Sequence, residues 1–253
     1  MSRQRTTRQK PEVIDRSLNI KASKFPQILP KTENQKYFVE AFGESKIVIG
    51  AGFAGSGKTL LSIYHAAKQL YHGKTKKIIL LRAYQPLAGR TIGFLPGEAE
   101  DKLLPYYRQM LDYLEDILGK AQVEIHRKRG AIEICSLETI RGRNWEDAVV
   151  IVDEAQNLFA EEVRALCTRL GDNSQMILLG DDSGVQTDIT NETDGLSYLL
   201  GIVEKYNIPD LALVYFEVQD ILRSNITKDF VIAFDKELQE QRQRTRQQTR
   251  RTA

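Results

Sequence analysis

Eight consecutive residues, Gly52, Phe53, Ala54, Gly55, Ser56, Gly57, Lys58 and Thr59, fit the pattern G-x-x-x-x-G-K-[ST]. The pattern suits phosphate. Glycines let the backbone turn so that successive N–H groups face an anion. A helix that starts at the end of the loop adds partial positive charge. The Lys58 ammonium can reach the β- and γ-phosphates of ATP, and the Thr59 hydroxyl can ligate Mg²⁺. Hydrolysis also needs a carboxylate near the metal and a base for the attacking water. Ala148–Val152 is an apolar run that ends in Asp153 and Glu154. Asp153 is placed near Mg²⁺, and Glu154 is the candidate base. A second apolar run, Gln175–Leu179, ends in Gly180 and Asp181, with Gln186 and Asp188 close behind. A third, Lys77–Leu81, ends in the cation Arg82. Charge spreading over a transferring phosphoryl group calls for guanidinium groups. The candidates are Arg141 and Arg143, just upstream of the Asp153 strand, and Arg223.

These residues must be held by strands and helices in the right order. Short β-branched runs predict buried strands at 46–49, 77–81, 148–152, 175–179 and 211–216. Helical spacing predicts helices over 32–42, 57–71, 98–118 (interruptible at Pro105), 159–170, 194–206 and 226–238. Residues 123–135 alternate around Lys128, Arg129 and Gly130 and read as a hairpin. Continuous apolar strands alternating with helices predict an α/β fold, a mostly parallel sheet with helices on both faces. The phosphate loop then falls between a strand and a helix, the context its chemistry requires.

The chain has 253 residues and a formal charge of +2, from 36 Lys+Arg and 34 Asp+Glu. The total conceals a division. Residues 1–24 hold seven basic and two acidic groups, and residues 236–253 hold six and two, which leaves residues 25–235 at −7. The expected organisation is a basic, flexible N-terminal segment (1–24), one ATPase domain (25–238) and a basic, disordered tail (239–253). Basic ends suit nucleic acid phosphates as well as plain solvation. No apolar run reaches the roughly 20 residues of a membrane span, and no apolar stretch follows the basic start, so no secretory signal is expected. Cys135 and Cys167 stand in no metal-ligand spacing, so neither a disulfide framework nor a zinc site is expected, and a cytoplasmic location is. His65, His72 and His126 form no ligand pair and read as structural, Trp145 as packing.

Taken together, the motifs resemble the PhoH-like family, P-loop NTPases whose RecA-like domain is similar to the first domain of superfamily 1 helicases. The resemblance rests on Gly52–Thr59, Gly93–Gly97 (Gly-Phe-Leu-Pro-Gly), Leu104–Tyr107, Ile140–Arg143, Val152–Asn157 (Val-Asp-Glu-Ala-Gln-Asn), Leu179–Asp181 and Asp220–Arg223. It implies that Gln35 contacts adenine, that Gln156 couples nucleotide state to neighbouring elements, and that Arg223 is a candidate arginine finger. Two departures stand out: Gln186 lies five residues beyond Asp181, and the usual Arg-Pro after the second strand is Arg82-Ala here.

The function implied is ATP hydrolysis coupled to single-stranded RNA or DNA, or to unwinding. A superfamily 1 motor closes its site between two tandem domains and only one fits here. A neighbouring copy is therefore expected to complete the site in a homo-oligomeric ring, a hexamer by analogy. An ATPase or nucleotide-dependent switch acting on a protein partner, and a small-molecule phosphotransferase, remain open alternatives.

Overall fold

Successive side chains of a strand point to opposite faces of its sheet. In the computed structural model this alternation divides the apolar residues into two cores. The structure describes residues 25–83, 99–140, 142–182 and 193–252. The 1–24 segment, the Gly93–Gly97 motif, Arg141, Gln186 and Asp188 lie outside the described residues. Six strands are present among the described residues: β1 (Ile47–Gly52), β2 (Lys77–Arg82), β3 (Ile132–Cys135), β4 (Ala148–Asp153), β5 (Gln175–Gly180) and β6 (Leu211–Phe216). They pair in the order β3-β2-β4-β5-β1-β6, and every pairing is parallel. The helices are α1 (Glu33–Glu44), α2 (Lys58–Tyr71), α3 (Ala99–Leu118), α4 (Lys120–Lys128), α5 (Ala160–Cys167), α6 (Gly195–Lys205) and α7 (Asn225–Thr252).

Ile78, Leu80, Ile151, Ile177 and Leu179 point to one face and pack with Phe38 of α1, Ile63 of α2 and Tyr107, Met110 and Leu114 of α3. Their strand neighbours Ile79, Leu81, Val150, Val152 and Leu178 point to the other and pack with Val163 and Leu166 of α5 and Leu196 and Leu199 of α6. A parallel sheet buried on both faces needs apolar residues at every strand position, which is why these strands read as continuous runs. The α/β expectation and both-face coverage are therefore met. α1 begins where Thr32 accepts from the Gln35 N–H at 3.3 Å, the capping role its type suits.

Two expected elements differ. Residues 120–128 form α4, not the first strand of a hairpin. Gly130 takes a left-handed φ of 66°. Its N–H donates to the Arg127 carbonyl at 2.9 Å, and the Ala131 N–H donates to the His126 carbonyl at 2.8 Å. That pair of bonds is a Schellman helix stop, so Lys-Arg-Gly ends a helix here instead of turning a hairpin. β3 then pairs parallel with β2. The second difference is at the end of the chain, where α7 continues to Thr252 through the expected disordered tail. Gln, Arg and Glu are good helix formers, and Gln241–Glu237 and Arg244–Glu240 link successive turns. Pro105 sits within α3 without ending it; it removes one N–H from the ladder.

Midway along α2, His65 stacks on Phe42 with ring centroids 4.5 Å apart and lies 2.7 Å from Gln175 Oε1. Burial pushes its pKa down from 6.5 to about 4. The unfolded chain therefore binds more protons between those values, and stability falls as pH drops through that window. At pH 5 the loss is about 2 kcal/mol relative to neutral pH, from the linkage relation. Melting His65→Gln and the parent protein at pH 5 and 7.5 tests this: the parent should lose more stability on acidification, and equal losses would rule the assignment out.

Candidate active site

The carboxyl ends of β1, β2, β4 and β5 meet around one cleft of about 460 Å³, the place where open α/β sheets bind ligands. β1 leads into the phosphate loop through Gly52, whose φ is 122°. A Cβ there would stand 2.0 Å from the Phe216 carbonyl oxygen, so only glycine lets β1 and β6 pass this closely. Gly55 and Gly57 are left-handed, each with φ 84°, and Gly57 caps α2. Ser56 Oγ donates to the Phe53 carbonyl at 2.8 Å, which tightens the loop. Lys58 is buried and its ammonium donates to the carbonyls of Gly52 at 2.6 Å and Phe53 at 2.8 Å. Burial pushes its pKa below the usual lysine value, while Asp181, Asp153 and Glu154 oppose that shift.

Ala54, Gly55, Ser56, Gly57, Lys58 and Thr59 line the cleft with Asp153, Glu154 and Asp181. Thr59 Oγ1 is 3.4 Å from Asp153 Oδ1. Asp153 is buried, and burial, with Glu154 beside it, pushes its pKa up to about 6. A hydroxyl and a buried carboxylate are hard oxygen donors of the kind Mg²⁺ takes in nucleotide sites, where phosphate and water complete the shell. A buried carboxylate with a raised pKa is also one that a cation would favour. The donor set thus fits Mg²⁺. Among the described residues no group of three or more His, Cys, Asp or Glu gathers as a metal site.

Glu154 is held in an unusual conformation, left-handed at φ 57°. Such a non-glycine residue stores on the order of 1–3 kcal/mol of strain, most often at functional sites. Its Oε1 accepts from Arg82 Nη2 at 2.9 Å and its Oε2 from Gln156 Nε2 at 2.6 Å. Gln156 in turn accepts from the Asp181 N–H at 3.0 Å. A Cβ on Gly180 would lie 2.8 Å from Gln156 Oε1, so the glycine before Asp181 makes room for this link between the ends of β4 and β5.

Not every candidate joins the site as expected. Gln35 is only 2% exposed and does not line the cleft. Its Nε2 donates to the Ser56 carbonyl at 2.8 Å and its Oε1 accepts from the Lys31 N–H at 2.6 Å, so it braces the phosphate loop where an adenine contact was expected. Gly57 permits this, since a Cβ there would lie 2.9 Å from the Gln35 amide nitrogen. Arg143 is also elsewhere: it pairs with Glu133 at 3.0 Å and touches Cys135 at 3.2 Å at the β3 edge. Arg223 does reach the cleft, and from its own chain. Its side chain lies over Gly55, where a Cβ would be 2.7 Å from Nε, and the Leu222 N–H donates to the Gly55 carbonyl at 3.1 Å. The cleft also takes in Arg82, Lys31, Gln109 and Tyr113. Arg82 carried a sequence signal, a cation closing an apolar strand. Lys31, Gln109 and Tyr113 carried none, because only the packing of α3 and the approach to α1 bring them here.

A sequence profile described as PhoH-like protein matches residues 27–235. The chain is 37% identical over 219 residues to the PhoH-like protein of Bacillus subtilis (strain 168), covering 86% of this chain and 67% of that protein. It is 34% identical over 210 residues to Protein PhoH of Escherichia coli (strain K12), covering 82% of this chain and 58% of that one. The chain thus spans about two-thirds or less of these curated relatives. Among solved structures, a large terminase from a thermophilic bacteriophage is similar over 80% of this chain and 50% of its own, with a TM-score of 0.48 and 12% identity.

Proposed function

We propose that this chain, which belongs to the PhoH-like family, is a Mg²⁺-dependent, cytoplasmic ATPase whose turnover is coupled to single-stranded RNA or DNA. The observation that carries the ATPase reading is the convergence of Lys58, Thr59, Asp153 and Glu154 on one cleft at the strand ends. Loop N–H groups and the start of α2 would take the phosphates. Thr59 and Asp153 would hold Mg²⁺, which when bound with ATP offsets charge on the β- and γ-phosphate oxygens. Glu154 would accept a proton from water as the water oxygen bonds to the γ-phosphorus and the bond to the β-phosphate bridging oxygen breaks. ADP and phosphate leave. Lys58, Arg223 and the Asp181 region bear on the charge that develops.

The nucleic acid partner is supported by the charge division along the chain, with basic ends on an acidic core. No helix among the described residues is long and apolar enough to cross a membrane. Both cysteines are free thiols, which suits a reducing compartment. Assembly into a homo-oligomeric ring, a hexamer, is supported by apolar residues left open on α7. Ile226, Phe230 and Phe234 recur every four residues and are 63%, 55% and 55% exposed, a stripe that favours burial against another surface. Because Arg82 and Arg223 line the cleft from the same chain, the ring rests on that stripe and not on an imported arginine.

The deciding experiment measures ATP turnover with and without single-stranded RNA and DNA at several salt concentrations. Stimulation should weaken as salt rises and as the basic ends are removed. Turnover indifferent to both polymers would point instead to a protein partner. Mass in solution with a non-hydrolysable ATP analogue should show a closed oligomer. A strict monomer with full turnover removes the ring.

A further inference from the structure

Arg82 closes β2 directly opposite Asp153 of β4 in the sheet register. Its backbone is fixed from the core side: the Arg82 N–H donates to Tyr107 Oη at 3.0 Å, and that fully buried hydroxyl donates to the Cys135 carbonyl at 2.7 Å. The guanidinium extends into the cleft. There Nη2 donates to Glu154 Oε1 at 2.9 Å and Nη1 to the Tyr106 carbonyl at 3.1 Å. With Gln156 on Oε2, both oxygens of Glu154 are engaged. The pair of bonds ties up both oxygens that a water proton would have to reach, so this is a base held out of action. Yet Arg82 lines the same cleft as Lys58 and Thr59, and its side chain keeps 21% exposure. A guanidinium prefers a multiply charged phosphate that can accept two parallel bonds. A γ-phosphate would therefore compete with Glu154 for one cation, and ADP, which lacks that phosphate, would not.

We infer that Arg82 is a γ-phosphate-responsive positioning residue, which pairs with Glu154 until ATP arrives and then turns to the γ-phosphate, leaving Glu154 free to take the proton of water. The inference rests on the ATPase reading and adds the element that restrains the base in the empty and ADP-bound site. It also explains why two ionised groups stay paired inside a nucleotide cleft: the bond is a resting state, exchanged on binding.

The test measures affinity for ADP and for a non-hydrolysable ATP analogue, both with Mg²⁺. Arg82→Gln should bind the analogue about tenfold more weakly while ADP changes less than about twofold, the size expected for losing one charged pair to the γ-phosphate. Glu154→Gln removes the competing charge, so it should bind the analogue several-fold more tightly with ADP unchanged, on the order of a single coupling energy. The double variant should lose that gain. If Arg82→Gln proves unstable in thermal melts, Arg82→Lys, which keeps the charge but not the planar fork, should fall between. Equal weakening of both nucleotides by the Arg82 variants, or a gain that survives in the double variant, overturns the inference. A parent protein that hydrolyses ATP while Arg82→Gln keeps its analogue-to-ADP ratio sinks the inference alone. A parent that binds neither nucleotide removes the ATPase reading and the inference with it.

Discussion

Lys58→Ala should reduce ATP turnover by at least about 10³-fold, the scale seen when a cation or donor aimed at developing charge is removed from a closed site. The physical reason lies in how the ammonium is kept. It is buried, it donates to the Gly52 and Phe53 carbonyls, and burial lowers its pKa against the pull of Asp181, Asp153 and Glu154. A buried cation in that position is unfavourable without a partner, and a phosphate is a better partner than two loop carbonyls. The same bonds order the loop, so alanine removes both the charge and the staple. Lys58→Met, which keeps much of the stem, separates the two. It should hold the fold as judged by circular dichroism and still fail to turn over ATP. Turnover within tenfold of the parent for either variant would show that Lys58 does not face the phosphates.

The site was legible in the sequence to the extent that it obeys local rules. Glycine spacing, apolar runs and the acids that end them mark Gly52–Thr59, Asp153–Glu154 and Gly180–Asp181, and the structure gathers all three at one cleft. What was not legible depends on contacts between distant segments. The left-handed Glu154 has no local signal, because glutamate does not favour that conformation; it is the residue that opens the 3-10 turn Ala155–Asn157. Gln35 was tied to the nucleotide by the resemblance alone, and nothing in its sequence neighbourhood marks the Ser56 carbonyl that it braces from within α1. Arg143 stood close to Asp153 in sequence, yet its guanidinium pairs with Glu133 on β3 and not with the cleft. For 120–135, alternation and helical spacing both fit so short a stretch. The backbone settled it: 120–128 is a helix that ends in a stop at Gly130, and of this stretch only β3 joins the sheet, parallel to β2.

Glu154→Gln is the sharper probe of mechanism, since it changes one atom and keeps the volume. Hydrolysis should fall by about 10²–10⁴-fold, the usual contribution of a positioned general base, while nucleotide binding persists. The geometry makes a second demand. Both carboxylate oxygens now accept, one from Arg82 and one from Gln156, and an amide offers only one acceptor. The variant must therefore turn its NH₂ toward one donor. Gln156 is tied by its own oxygen to the Asp181 N–H, so it cannot invert its amide without giving up that bond. Arg82, anchored by its backbone but long and partly exposed at its tip, is the partner that yields. Single-turnover hydrolysis measured beside analogue binding reads both consequences: slow chemistry with retained or improved affinity. Hydrolysis at the parent rate would place the base elsewhere, and buried Asp181, lining the same cleft, would be the next carboxylate to test.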